Sequence, residues 1–183
     1  MGAHLTAAIA ALLLFCPSSA VQAAGYTPQE KQDLTLCATV ALSIKSIAEY
    51  KVGGVPEAKT DRYFGHAPGQ KENRLVKRVY ADTVTDAWEY AAADFKSCAL
   101  NKAKLPAERF AAAERCMRDA MIADSAISLR LLGRPRQDAY DYLKRFDDQE
   151  AHGAIDAAYA PPKVPKREDA LDAWKACLKA GTG

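Results

Sequence analysis

Five cysteines constrain the fold of this 183-residue chain more than any other feature. Cys16 lies in an apolar amino-terminal run, which leaves four cysteines for the rest of the chain. Cys37 and Cys98 are 61 residues apart, and so are Cys116 and Cys177. An even number of cysteines in an exported protein predicts a framework of disulfides, here two.

The equal spacing belongs to a longer internal repeat. When the chain is shifted by 79 residues against itself, the two cysteine pairs coincide and many residues between them match. The identical pairs include Ser46 with Ser125, Gly54 with Gly133, Pro56 with Pro135, Tyr63 with Tyr142, Tyr80 with Tyr159 and Lys96 with Lys175. Self-similarity at a fixed period indicates a repeated structural unit. The sequence therefore predicts two copies, over residues 26–103 and 106–181.

Helical periodicity runs through both copies. Apolar residues recur every three to four positions along the predicted helices, for example at Leu34, Ala38 and Ala41. Glycine and proline residues mark the ends and starts of these helices. No alternating β-branched run is long enough to predict a strand. The sequence therefore predicts an all-α fold of two tandem duplicated four-helix units, each stapled by one disulfide.

Two local details follow from the same pattern. Thr83 or Thr85 is expected to cap the fourth helix. Polar segments between the second and third helices of each copy, Gly65–Asn73 and Phe146–Gly153, are expected to form exposed loops that insert into a partner.

Each disulfide is expected to join the first helix of its copy to the fourth, because duplication copies a pairing together with the fold. This arrangement pairs Cys37 with Cys98 and Cys116 with Cys177, each inside the small core of its own copy. Closing a loop of about 60 residues should stabilise each copy by roughly 4 kcal/mol in the chain-entropy model. The alternative pairs Cys98 with Cys116 across the central turn and Cys37 with Cys177 at the ends.

The amino-terminal residues have the features of an export signal. Residues 7–15 are uniformly apolar, and small residues follow up to Ala23. Such a run is too short to span a bilayer and is typical of a signal peptide over residues 1–23. The phenylalanine before Cys16 disfavours lipid attachment at that cysteine. We therefore expect a soluble, Sec-exported periplasmic protein without a membrane-inserted segment.

Charge and motif content argue against several classes of function. The net charge of +2 is too small for a typical nucleic-acid binder. No serine lies in a G-x-S-x-G motif, and no histidine or cysteine spacing matches a common metal site. The segment holding Asp147, Asp148 and His152 is interpreted as a solvated acidic loop. We therefore predict no catalytic residues, no metal and no cofactor, and a protein that is not an enzyme.

A protein-binding role remains, and several residues are candidates for it. Aromatic residues that the repeat does not duplicate are candidates, because tryptophan and tyrosine dominate interface hot spots. A basic helix face in the first copy, whose counterpart is nearly uncharged, is a second candidate surface. The predicted partner-binding residues are Trp88, Tyr90, Arg74, Lys77, Arg78, His66, Asp147, Asp148 and His152.

The signal segment and the two cysteine-closed helical frames together resemble the small all-helical periplasmic immunity proteins of bacterial type VI secretion. This resemblance is one of general plan, and the tandem copy departs from single-domain members. It implies that the chain binds a cognate secreted toxin and occludes its active site. Two alternatives are a periplasmic chaperone and a structural component of an envelope or secretion assembly.

Overall fold

The structure, a computed structural model, describes residues 25–65, 71–146, 148–160, 166 and 168–180. This part of the chain is all-helical and contains no strand, which confirms the predicted fold class. None of its helices combines the length and apolar character that a transmembrane span requires. The helices are α1 (Pro28–Val52), α2 (Glu57–Phe64), α3 (Arg74–Ala81), α4 (Ala87–Asn101), α5 (Ala107–Leu131), α6 (Arg136–Leu143), α7 (Asp148–Tyr159) and α8 (Glu168–Ala180). We call α1–α4 the first half and α5–α8 the second half.

A glycine–proline turn joins the first two helices of each half. Gly54 follows the end of α1 with φ +75°, and Pro56 immediately precedes α2. Gly133 has φ +71° after α5, and Pro135 immediately precedes α6. Glycine adopts this left-handed conformation without the steric cost that a Cβ atom would impose. The repeated sequence pattern therefore marks the same helix–turn–helix connection in both halves.

The cap of α4 differs from the predicted one. Asp86 is the N-cap residue, and its Oδ1 accepts hydrogen bonds from the backbone N–H groups of Trp88 at 2.7 Å and Glu89 at 3.1 Å. The prediction of Thr83 or Thr85 is therefore wrong. An aspartate satisfies the same orphan donors as a threonine and adds a negative charge where the helix dipole favours one.

Helix α7 begins earlier than predicted. It starts at Asp148, so residues 148–153 are helical and do not form the expected exposed loop. The physical reason is a buried stripe, since Ala151, Ile155 and Ala158 are spaced by three to four residues and all face the core. His152 consequently lies on a helix and not in a loop between helices.

Both disulfides join the first helix of a half to its fourth. Cys37 of α1 is bonded to Cys98 of α4, with a Cα–Cα distance of 5.6 Å. Cys116 of α5 is bonded to Cys177 of α8, with a Cα–Cα distance of 5.5 Å. The predicted pairing is confirmed, and the alternative connectivity across the central turn is excluded.

The helices of the second half repeat the order of those in the first. Helices α1 and α5 both have 25 residues, and each end of α5 lies 79 residues after the matching end of α1. The same shift relates both ends of α2 to those of α6. Helices α7 and α8 depart from this match, since α7 has 12 residues against 8 in α3, and α8 has 13 residues against 15 in α4.

Individual contacts recur under the same shift. Lys51, near the end of α1, donates a hydrogen bond to the carbonyl of Val79 at 3.0 Å. Arg130, near the end of α5, donates to the carbonyl of Ala158. The last carbonyls of a helix have no partner within that helix, so these cations of α1 and α5 satisfy carbonyls at the ends of α3 and α7. Each half thus ties its third helix to its first by an equivalent contact.

One continuous hydrophobic core runs through both halves. Helix α1 packs against α5 and α8 of the second half as well as against α4 of its own half. The rings of Phe95 and Trp174, two equivalent positions, meet edge to face with centroids 5.4 Å apart. The expectation of a separate small core in each copy is therefore wrong, because each half buries apolar surface against the other.

Candidate functional site

A buried ionic cluster lies where α1 meets α5, at a contact between the halves that we call the seam. The Nζ of Lys45 is 3.0 Å from an Asp124 carboxylate oxygen and 3.1 Å from one of Glu49. The Lys45 side chain is 1% exposed and that of Asp124 is 11% exposed. Charges that leave water must be paired, so these contacts hold the two helices in one register.

The chemistry of Lys45 follows from its surroundings. Burial on its own lowers the pKa of its ammonium group, whereas the negative charges of Asp124 and Glu49 raise it, and the net effect is a raised pKa. Lys45 therefore remains a cation at neutral pH. A lysine that acts as a nucleophile needs a lowered pKa, so this arrangement favours a structural role for the ammonium group.

Aromatic side chains from both halves cover the cluster. The Lys45 Nζ lies 4.9 Å from the centroid of the Trp88 ring, within the range of a cation–π contact. The indole Nε1 of Trp88 donates to the Tyr142 hydroxyl at 3.4 Å. That hydroxyl in turn donates to Glu49 at 2.7 Å. Tyr142 thus connects α6 to α1 across the seam.

An ion pair at the surface lies next to the aromatic side chains that cover the ionic cluster. The Arg145 Nη1 lies 2.8 Å from Asp86, the residue that caps α4. Hydrogen bonding from Arg145 lowers the pKa of the Asp86 carboxyl group, so the pair remains charged at neutral pH. The Arg145 guanidinium also lies 5.2 Å from the centroid of the Trp88 ring. Trp88 is therefore contacted by two cations, Lys45 and Arg145.

The side chains of Glu49, Asp86, Trp88, Tyr142 and Arg145 line a depression of about 390 Å³ at the seam. Two of its lining residues are strongly exposed, Val52 at 52% and Tyr142 at 44%. Burial and the charge of Glu49 raise the pKa of Tyr142, so its hydroxyl stays protonated and can donate. We call this depression the seam pocket and define it by Glu49, Val52, Asp86, Trp88, Tyr142 and Arg145.

The structure separates the predicted partner-binding residues into different regions. Trp88 is only 6% exposed, so little of its side chain is available for direct contact with a partner. Its ring forms part of the wall of the seam pocket. Tyr90 and Arg78 lie elsewhere, between α3 and α4, where Tyr90 donates to Asp82 at 2.5 Å and Arg78 pairs with Asp94 at 2.8 Å.

The remaining candidates are dispersed. Lys77 pairs with Glu72 at 2.6 Å on the exposed face of α3, which Arg74 begins. His152 is exposed on α7, and its ring contacts that of Tyr140 at a centroid distance of 4.8 Å. Asp148 begins α7. His66 and Asp147 lie outside the described residues.

Tyr90 should titrate well above an ordinary tyrosine. Burial, followed by the hydrogen bond to Asp82 and the charge of that carboxylate, raises its pKa to about 12. We expect Tyr90 to stay protonated near pH 11, where an ordinary tyrosine with a pKa of about 10 is mostly ionised. Because the folded-state pKa is the higher one, this contribution to stability is complete below about pH 10 and disappears as the pH rises towards 12.

The measurement is an ultraviolet titration of tyrosinate, compared between the parent protein and Tyr90→Phe. The two proteins should contain the same amount of tyrosinate at about pH 11. Asp82→Asn should lower the Tyr90 pKa, because it removes the carboxylate charge. If Tyr90→Phe already lacks one tyrosinate equivalent near pH 11, the contact with Asp82 does not exist in solution.

Several residues of the seam pocket and of the buried ionic cluster beside it were not predicted from the sequence. Tyr142 was not a candidate, because it repeats Tyr63 and only aromatic residues without a counterpart were selected, yet both tyrosines are about half exposed. Lys45 and Asp124 carried a usable signal, since they occupy equivalent positions of the repeat with opposite charges. Among the described residues, no group of three histidine, cysteine or acidic side chains has the arrangement of a metal site.

No protein-family model, no curated protein and no solved structure matches this chain.

Proposed function

We propose that this chain is an exported binding protein of the immunity type, which occludes the active site of a secreted type VI toxin. The observation that carries the proposal is the convergence of Trp88, Tyr142 and Arg145 at the seam pocket. Tryptophan, tyrosine and arginine are the residue types most enriched at interface hot spots, and such residues cluster in well-packed concave surfaces. A protrusion of the toxin would enter this depression.

Rigidity supports the same proposal. The disulfides fix α4 to α1 and α8 to α5, while the Lys45–Asp124 pair fixes α1 to α5. A surface that is ordered before binding loses less conformational entropy when the complex forms. Slow dissociation, which an inhibitor of a toxin requires, follows from such preorganisation. Two disulfides also suit an oxidising compartment such as the periplasm, to which the predicted signal peptide would direct the chain.

We further propose that the halves are duplicated units related by a half-turn. Two pairs of equivalent residues contact each other, Lys45 with Asp124 and Phe95 with Trp174. A residue that meets its own counterpart lies beside a two-fold axis, as in a symmetric dimer. The seam pocket combines side chains from α1, α4 and α6, so it would arise only after the two units were joined.

The test measures inhibition of purified type VI toxins that act in the periplasm, together with the affinity of each complex by calorimetry. Tyr142→Ala should weaken a cognate complex about 30-fold or more, because hot-spot truncations cost on the order of 2 kcal/mol. Tyr63→Ala is the matched control, since it removes the equivalent tyrosine of the first half, which is 55% exposed and lies outside the seam pocket. Arg145→Ala should behave like Tyr142→Ala.

Two results would contradict the proposal. The first is an equal loss of affinity in Tyr63→Ala and Tyr142→Ala, which would place the interface elsewhere. The second is the absence of stoichiometric inhibition across a panel of periplasm-acting toxins that includes those encoded beside this chain.

A further inference from the structure

An open groove lies in the second half, between α7 and α8 and above α5. Its volume is about 610 Å³, within the range of sites that bind a drug-sized ligand or a few side chains. Small residues of α7 form one wall, and aspartates together with apolar residues of α5 and α8 line the rest. We call it the acidic groove; its defining residues are Asp119, Gly153, Ala154, Ala157, Asp169 and Asp172.

The equivalent region of the first half is closed by the chain's own side chains. Arg78 of α3 reaches across to Asp94 of α4 with an N–O distance of 2.8 Å. Tyr90 of α4 reaches back to Asp82, the residue that ends α3, at 2.5 Å. Leu75 lies three residues before Arg78, on the same face of α3, and packs against the core. An ion pair, a hydrogen bond and an aliphatic side chain therefore fill the space between α3 and α4.

The second half cannot form either of these ties. Under the 79-residue shift, Arg78 corresponds to Ala157, Asp94 to Ala173 and Leu75 to Ala154. Tyr90 corresponds to Asp169. Every residue that closes the first half by reaching between the helices is thus replaced by a shorter one, and the groove between α7 and α8 remains open.

Charge distinguishes the two regions as strongly as volume does. Three aspartates line the acidic groove, and no lysine or arginine is among its described lining residues. The first half has Val40, Tyr90 and Ala93 at the corresponding positions, all uncharged. The Nζ of Lys175 lies 3.1 Å from Asp172, but its side chain is exposed and lies outside the groove lining. The second half therefore lacks the guanidinium and the aliphatic group that α3 supplies in the first half. In their place, the groove has carboxylates on α5 and α8.

We propose that the acidic groove is a docking site for a segment of a partner protein that carries an arginine beside an aliphatic or aromatic side chain. The arginine would pair with Asp172, and the apolar side chain would pack on Ala154, Ala157 and Ile127. The proposal rests on the proposed function as a binding protein, and it assigns a second contact surface away from the seam pocket. The first half serves as the internal template, because it fills the same space with Leu75 and Arg78.

The experiment titrates isotope-labelled protein with a defined peptide and follows the backbone amide signals by NMR. The probe is the capped hexapeptide Leu-Val-Lys-Arg-Val-Tyr, which reproduces the groove-filling chemistry of residues 75–80. Its control has glutamate in place of lysine and arginine. We expect saturable shifts confined to α5, α7 and α8 with the basic peptide, and none with the acidic one.

Variants of the protein distinguish peptide binding in the acidic groove from non-specific attraction between the peptide and the negative charges of the protein. Ala154→Leu with Ala157→Arg installs the residues of the first half and should fill the groove, lowering peptide affinity about tenfold or more without lowering the melting temperature. Asp172→Asn, which keeps the shape of the groove, should lower affinity by about tenfold because a charge-assisted pair is lost. Glu108→Gln, an exposed acid at the start of α5, is the matched control and should change nothing.

The proposal is overturned if the basic peptide gives no saturable shifts, if the acidic peptide binds equally well, or if the filled variant retains parental affinity. These outcomes are independent of the seam pocket, because Tyr142→Ala should leave peptide binding unchanged. A failed peptide titration together with a toxin complex that depends on Tyr142 would therefore reject the acidic groove alone.

Discussion

Asp124→Ala should lower the free energy of unfolding by about 3–5 kcal/mol, because it leaves the buried ammonium of Lys45 without its partner on α5. Glu49 remains 3.1 Å from Lys45, but it lies on the same helix, so the Lys45–Glu49 pair does not link α1 to α5. The loss therefore combines a buried charge that keeps only Glu49 as its anionic partner with a weakened contact between α1 and α5. Urea unfolding followed by circular dichroism at neutral pH measures it directly.

The matched controls distinguish a buried pair from an ordinary surface contact. Lys45→Met with Asp124→Val removes both charges and fills the space with apolar side chains of similar size, so it should recover most of the loss. Asp172→Ala breaks the exposed pair with Lys175 and should cost less than about 1 kcal/mol. An Asp124→Ala variant as stable as Asp172→Ala would show that Lys45 is not buried against α5 in solution.

Cys116→Ser with Cys177→Ser should destabilise the protein by about 4 kcal/mol, because the disulfide closes a 61-residue loop in the unfolded chain. Cys37→Ser with Cys98→Ser opens a loop of the same length and should cost a similar amount. Each double variant is a control for the other, because the two disulfides close loops of equal length and differ only in the packing around them. Denaturant unfolding under non-reducing conditions is the measurement.

A single cooperative transition is expected in both double-serine variants, because one hydrophobic core connects the halves. Loss of a disulfide in one half should therefore lower the stability of the whole molecule. Two separate transitions, or a cost near zero for either pair, would contradict this description. Peptide mapping of the unreduced parent protein should recover Cys37 linked to Cys98 and Cys116 linked to Cys177.

The sequence predicted those parts of the fold that depend on local periodicity and on repetition. Apolar spacing indicated the helices, and Gly54 and Gly133 indicated the turns, because both signals act within a few residues. The cysteine spacing predicted the pairing of α1 with α4 and of α5 with α8. The boundary of α7 was missed because small alanines carry a weak apolar signal, although they pack closely in the core.

The seam pocket could not be predicted in the same way, because its residues are brought together by packing between the halves. Trp88 was selected as an unmatched aromatic residue, but whether it faces solvent depends on Tyr142 and Arg145 covering it. Tyr142 was not selected, because its position repeats that of Tyr63. Repetition, however, predicts equivalent backbone positions and does not predict burial. Lys45 and Asp124 could have been found by searching the repeat for equivalent positions of opposite charge.

The measurement that tests the central claim most directly is an X-ray crystal structure in which the two halves are superposed. If the chain consists of two equivalent units that meet at a seam, one rotation of about half a turn will place α1–α4 on α5–α8 in the same order and direction. Lys45 and Asp124 will then face each other beside the rotation axis. Helices that superpose in no common order, or a Lys45 side chain separated from Asp124, would contradict the account.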